Sequence, residues 1–229
     1  MLGTIVNSTT IIIGTILGVL LNKGIKEEYK STIMDGVSLA VILIGIMGAL
    51  DTENVILMII SLVVGSIIGE AVKIEKKLDN LGNTLEKKLG KGDSNFSKGF
   101  VTASLVFCVG AMAIVGALES GLRGNHSTLF AKSVLDGISS IIFASTLGIG
   151  VGFSAATVLL YQGSITLLAS SAKELLTPEV INEMSAVGGL LIAAIGINLL
   201  GLRKIKVGNM LPAIFIPLLY FLLKKFIGF

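Results

Sequence analysis

At 229 residues, with 53% hydrophobic side chains, 14% charged ones and a mean hydropathy of +0.91, the chain is too apolar for a water-soluble domain and reads as a protein of the bilayer. A single cysteine, Cys108, excludes a disulfide framework and a thiolate metal cluster, and the lone His126 has no second His or Cys at metal spacing. Neither G-x-x-x-x-G-K-S/T nor G-x-G-x-x-G occurs, so a nucleotide-driven motor has no support, and no cofactor is implied.

In chain order, apolar runs long enough to cross a bilayer fall at 2–22, 31–50, 54–72, 100–119, 128–149, 152–171, 181–201 and 209–228. They lack strand alternation, so the predicted class is all-α, a polytopic bundle of seven or eight transmembrane helices. The first run continues past Leu21 and has no cleavage pattern, which reads as a retained span. Its polar cluster Asn7, Ser8, Thr9 and Thr10 suits hydrogen bonding between helices. "GTILG" (Gly14, Gly18) and "GSIIG" (Gly65, Gly69) are small-xxx-small seams, within the chain or between protomers of a homo-oligomer. Ile74, Leu78, Leu81, Leu85 and Leu89 make an apolar stripe in the 73–98 connector, a helix suited to the membrane surface or a partner. "GIGVG" (Gly148, Gly150, Gly152) leaves almost no loop between the fifth and sixth runs, so a broken or re-entrant pair is an alternative there. Thr177-Pro178 is a helix start, and Pro212 and Pro217 should kink the last span.

Loops 23–30, 73–98 and 202–208 carry thirteen of the eighteen Lys and Arg residues, which assigns them to the cytoplasmic side. This excess is loop topology and not a nucleic-acid footprint. Lys224 and Lys225 at the opposite side run against the rule.

"TIMDGVS" (32–38) and "SVLDGIS" (133–139) match at an offset of 101 residues, and each opens the second helix of a three-helix group. An odd number of spans per group turns the second copy upside down. The predicted organisation is therefore a first repeat at 1–72, the amphipathic connector at 73–98, an inverted repeat at 99–171 and a C-terminal helix pair at 172–229. On this reading Asp35 lies near the cytoplasmic end of its helix and Asp136 near the external end of its own.

A carboxylate in hydrocarbon needs protein or water around it. Lys132, one turn before Asp136, is its evident partner, while Asp35 has none at helical spacing. The acids either anchor helix ends or, with Ser38 and Ser139, line a solute or ion pathway. Gly36 and Gly137 would then allow local unwinding, as would Gly148, Gly150 and Gly152. Glu119, four before Arg123, is an interfacial pair or a coupling acid. Gln162 and Asn198, deep in apolar runs, need partners and are the better solute candidates.

The runs "FCVGAMAIVGALESGLRGN", "KSVLDGISSIIFASTLGIGVGFSAATVLLYQGSITLLA" and "EMSAVGGLLIAAIGINLLGLRKIKVGNMLPA" resemble the YqgA/YdfK-like family, bacterial inner-membrane proteins with a domain of unknown function. The resemblance implies a multi-span inner-membrane protein and brings no activity or site residue with it. Three function classes stay open: a secondary transporter or channel for a small solute or ion, a scaffold acting through the 73–98 connector, and a membrane-embedded enzyme. The last lacks a nucleophile–base pair or metal cluster within the spans, so the expectation is a non-enzyme.

Overall fold

The computed structural model describes residues 1–22, 27–77, 80, 84, 95–108, 111–172 and 174–227. Its helices are α1 (Leu2–Asn22), α2 (Glu27–Leu50), α3 (Val55–Val72), α4 (Phe96–Cys108), α5 (Ala111–Arg123), α6 (Ser127–Leu147), α7 (Gly150–Leu167), α8 (Ala169–Ala172), α9 (Pro178–Leu199), α10 (Val207–Met210) and α11 (Ile216–Ile227), with a 3-10 turn at Leu211–Phe215. No strand occurs among the described residues. Seven helical segments are long and apolar enough to cross a membrane, and α4 with α5 makes an eighth if that bent pair is one span. The all-α, polytopic class is thus the one observed.

The interrupted span lies elsewhere than at "GIGVG". The predicted fourth span, 100–119, is two helices, Phe96–Cys108 and Met112–Arg123, meeting at 60° across residues 109–110, which are outside the described set. At "GIGVG", Gly148 takes φ 77°, a left-handed conformation that costs glycine little, and this ends α6 so sharply that α7 begins at Gly150. Two whole helices result. The helices also run unbroken through Gly36 and Gly137, so neither unwinds its helix, and Gly152 lies inside α7. The stripe at 74–91 falls largely outside the described residues, of which 74–77 are helical.

The described chain forms two compact units. The first comprises Met1–Val37, 78–108 and Met112–Ser170, the second Ser38–Lys77, 109–111 and Ser171–Phe229. In the first, α1 packs along α6 and α7, and α4 along α7. Lipid tails are as apolar as leucine, so helices here associate through close packing and hydrogen bonds more than through the hydrophobic effect. The α1 seam provides that packing. A methyl on Gly14 would fall on the Gly137 carbonyl, and one on Gly18 on the Ile141 carbonyl. Successive contacts of Gly3 with Leu129, Gly14 with Gly137 and Gly18 with Ile141 show that α1 and α6 run in the same direction. Gly137 therefore serves close approach, not unwinding. Phe96 stacks near Phe153 at 5.0 Å and Phe107 near Phe143 at 6.0 Å, filling the rest of this core.

In the second unit α9 is the most enclosed helix, with 72% of its span buried against 22% for α3. Thr177 accepts from the Val180 amide and Pro178 occupies the first turn, the helix start read from the sequence. Gly65 packs on Ala213 and Gly69 on the Asn209 carbonyl, so both glycine seams are closed within the chain and not between protomers. The final span passes through a 3-10 turn containing Pro212, and Pro217 is the second residue of α11.

Two polar clasps close the ends of this unit. Glu183, buried on α9, accepts from the Thr52 hydroxyl (2.6 Å) and from the Glu53 and Asn54 amides (2.8 and 3.1 Å), while Asn54 caps α3 through the Leu57 amide. At the other end of α3, Glu70 takes Lys206 Nζ at 2.8 Å and Asn209 Nδ2 at 2.6 Å, and Asn209 Oδ1 accepts from the Glu75 amide. The Glu70 carboxylate holds the Lys206 ammonium above the usual lysine range.

Replacing Gly69 by valine forces the chain against the Asn209 backbone and should cost about 1–3 kcal/mol, the usual cost of overpacking. A methyl at Gly36 meets nothing within 4 Å, so Gly36→Ala should stabilise its helix by about 0.5–1 kcal/mol. Thermal unfolding in detergent, read as the two Tm shifts, checks both; equal shifts would contradict the packing.

Candidate functional site

A charged pair stands in the middle of a span. Asp136 is the tenth residue of the 21-residue α6. That is about 14 Å along the helix, roughly halfway through a hydrocarbon core of about 30 Å. The span was expected at 128–149, close to what is observed, and within those bounds Asp136 lies in the middle of the helix and not near its external end. Lys132 Nζ meets Asp136 Oδ1 at 2.8 Å, and both residues are nearly fully buried. Ser133 and Ser140 donate to the Leu129 and Asp136 carbonyls, so their hydroxyls are satisfied inside α6.

Asn7 joins this pair to a third helix. Its Nδ2 donates to Asp136 Oδ2 at 3.0 Å and to Gln162 Oε1 at 3.4 Å, linking α1, α6 and α7. The interhelical role read for Asn7 is the one observed, and Gln162 is where a carboxamide was expected to need a partner. Thr9 and Thr10 instead bond back to the Ile5 and Asn7 carbonyls of their own helix. The first half of the interrupted span packs on α6, with Phe107, next to last in α4, near Phe143 at 6.0 Å.

The cluster is incompletely satisfied. Among the described residues, seven side-chain polar atoms are buried without a hydrogen-bond partner: Asn7 Oδ1, Gln162 Nε2 and the hydroxyls of Thr4, Ser8, Thr15 and Thr166 in the first unit, and the Ser185 hydroxyl in the second. Thr4, Ser8 and Thr15 follow one another at four and seven residues, one face of α1, and Gln162 and Thr166 share a face of α7. A buried polar atom without a partner is costly, so such atoms aligned along two helices mark either water or a passing solute.

The other expected site residues stand in different settings. Asp35 is exposed, Ser139 is half-buried and Ser38 belongs to the second unit. Asn198 is not a deep carboxamide: it is the penultimate residue of α9, and its two ends bond Ile205 O (2.8 Å) and Ile205 N (2.7 Å), tying the loop that follows. Glu119 accepts from Thr128 Oγ1 at 2.7 Å, and no Glu119–Arg123 ion pair occurs among the described residues. Ser120 Oγ and His126 Nδ1 are 3.0 Å apart, which ties the half-buried His126 to the end of α5. Glu183 was not foreseen, since an acid in the second turn of a helix reads as a complement to its dipole. It also lines a cleft of about 280 Å³ with Glu53, Glu179, Asn182, Tyr220 and Lys224.

Breaking one half of a buried ion pair leaves an uncompensated charge. Lys132→Met should therefore cost about 3–5 kcal/mol, and Lys132→Met with Asp136→Leu should recover most of it. A double-mutant cycle by thermal unfolding checks this, and additive losses would contradict the pairing.

Residues 2–222 match the family model described as a protein of unknown function, DUF554. The chain is 38% identical over 221 residues to the uncharacterized membrane protein YdfK of Bacillus subtilis (strain 168), covering 95% of this chain and 94% of that one. To the uncharacterized protein YqgA of Escherichia coli (strain K12) it is 32% identical over 224 residues, again 95% and 94%. No solved structure matches it. With the family model spanning nearly the whole chain and seven membrane-length helices, this is a multi-span membrane protein that belongs to the DUF554 family.

Proposed function

We propose that the protein is a secondary transporter or channel for a small solute or ion in the bacterial inner membrane. It works by alternating access between two inverted three-helix repeats, 1–72 and 99–171. The observation that carries this reading is the Lys132–Asp136 pair, buried at mid-span and bridged by Asn7 to Gln162, with six polar atoms around and beyond it lacking partners. Groups so placed are retained where they hold or pass a polar species. The interrupted α4–α5 span, whose two helices belong to the same unit as the pair, is a second support, because solute sites in transporters form where helices break near the midplane.

Loops 23–30, 73–98 and 202–208 face the cytoplasm in this reading. In its support, the Glu70–Lys206 and Glu70–Asn209 bonds bring the start of the 73–98 segment and the end of the 202–208 loop to one end of the second unit. Glu183 brings 52–54 to the start of α9 at the other end.

Purified protein in liposomes, screened for uptake of small solutes and ions with and without a proton gradient, tests the activity. Asp136→Asn should lower a detected flux at least tenfold, whereas Asp35→Asn should leave it within twofold; equal effects at both acids would remove the buried pair from the pathway. Topology has its own check in a Cys108→Ala background. Cysteines at 76 and 204 should label only from inside and cysteines at 125 and 176 only from outside, and labelling of 76 and 204 from opposite sides would refute the arrangement.

A further inference from the structure

We infer that the species passing the first unit carries no net charge and offers both hydrogen-bond donors and acceptors, the class of small amides, ureas and polyols. This rests on the transport reading and narrows it. Three observations lead to it. First, the pair is electrically compensated: Asp136 Oδ1 is bound by Lys132 and Oδ2 by Asn7, so a cation meets the Lys132 ammonium beside the carboxylate, while an anion meets Asp136. A buried polar wall with compensated charge is a barrier to ions, as fixed charges are in neutral-solute pores. Second, what is left free is neutral and of both kinds. Asn7 Oδ1 accepts and Gln162 Nε2 donates, both on fully buried residues, and four hydroxyls do either. Third, these groups form a track and not a point: Thr4, Ser8 and Thr15 span eleven residues of α1, about 16 Å of helix, or half of a bilayer core. Successive hydrogen-bond exchange along such a track replaces the hydration of an uncharged solute that both donates and accepts.

Proteoliposomes examined by stopped-flow light scattering with urea, acetamide and glycerol, and by ion-selective electrodes with K⁺ and Cl⁻ at an imposed potential, separate the outcomes. The inference expects at least fivefold faster entry of one or more uncharged probes than in protein-free liposomes, with no ion flux above background. Ion flux without uncharged-solute entry overturns the inference and leaves the transport reading standing. Entry of neither class overturns both. A variant that should fold at least as well as the parent adds a second arm. Thr4→Val, Ser8→Ala, Thr15→Val and Thr166→Val together remove unpartnered hydroxyls with little change of shape, so Tm should hold or rise while uncharged-solute entry falls to the protein-free rate. A fall in Tm with unchanged entry would mean that the hydroxyls serve the fold through bound water, and would overturn the inference.

Discussion

Lys132 and Asp136 cannot be understood one at a time. In hydrocarbon a lone carboxylate or ammonium would neutralise or move to the surface, yet these two sit nearly fully buried in a 21-residue apolar helix, Asp136 at its middle and Lys132 one turn before, 2.8 Å apart. Their pairing lets α6 cross the membrane at all, and it sets what α1 and α7 must present. Asn7 answers the second carboxylate oxygen and Gln162 answers Asn7, so three helices are fixed in register by one charge. The glycine seam brings α1 near enough for this. With a side chain at Gly14 or Gly18 the two backbones would separate, and the Asn7 amide would no longer reach Asp136.

The second unit solves the same problem with its polar groups at the ends. Glu183 receives three donors from the 52–54 turn, and Glu70 gathers Lys206 and Asn209, so the two termini of α3 are each held by a carboxylate while its middle is glycine against backbone. Each clasp supplies partners for groups that a helix end otherwise leaves to water. The contrast between the units is informative. The second keeps its charges at helix ends, where anchoring suffices to explain them, whereas the first carries a pair at mid-span amid unpartnered donors and acceptors.

Much of this was legible in the sequence because bilayer length is a coarse filter that composition passes or fails. The runs were found within a few residues, and Lys132 was matched to Asp136 from helical spacing alone. What was missed follows from the limits of one-dimensional spacing. Apolar length cannot see a 60° bend inside 96–123, since both halves are equally greasy, and it placed the break at "GIGVG", where Gly148 makes a tight turn instead. The two D-G motifs look alike on paper, but Asp136 is buried and Asp35 exposed, and burial depends on which helix packs alongside. Asn198 and Gln162 were equal candidates for the same reason. Only the chain reversal after Leu199 shows that Asn198 belongs to a loop.

The central claim is that the unpartnered face of α1 meets a polar species while its exposed isoleucine face meets lipid. Cysteine accessibility along α1 tests it most directly, using single cysteines in a Cys108→Ala background and a small uncharged water-soluble thiol reagent. Ser8→Cys and Thr15→Cys should react, and Ile5→Cys, Ile12→Cys and Ile16→Cys, all on the exposed apolar face, should not. Reaction at the isoleucine positions, or silence at both hydroxyl positions, would contradict the account.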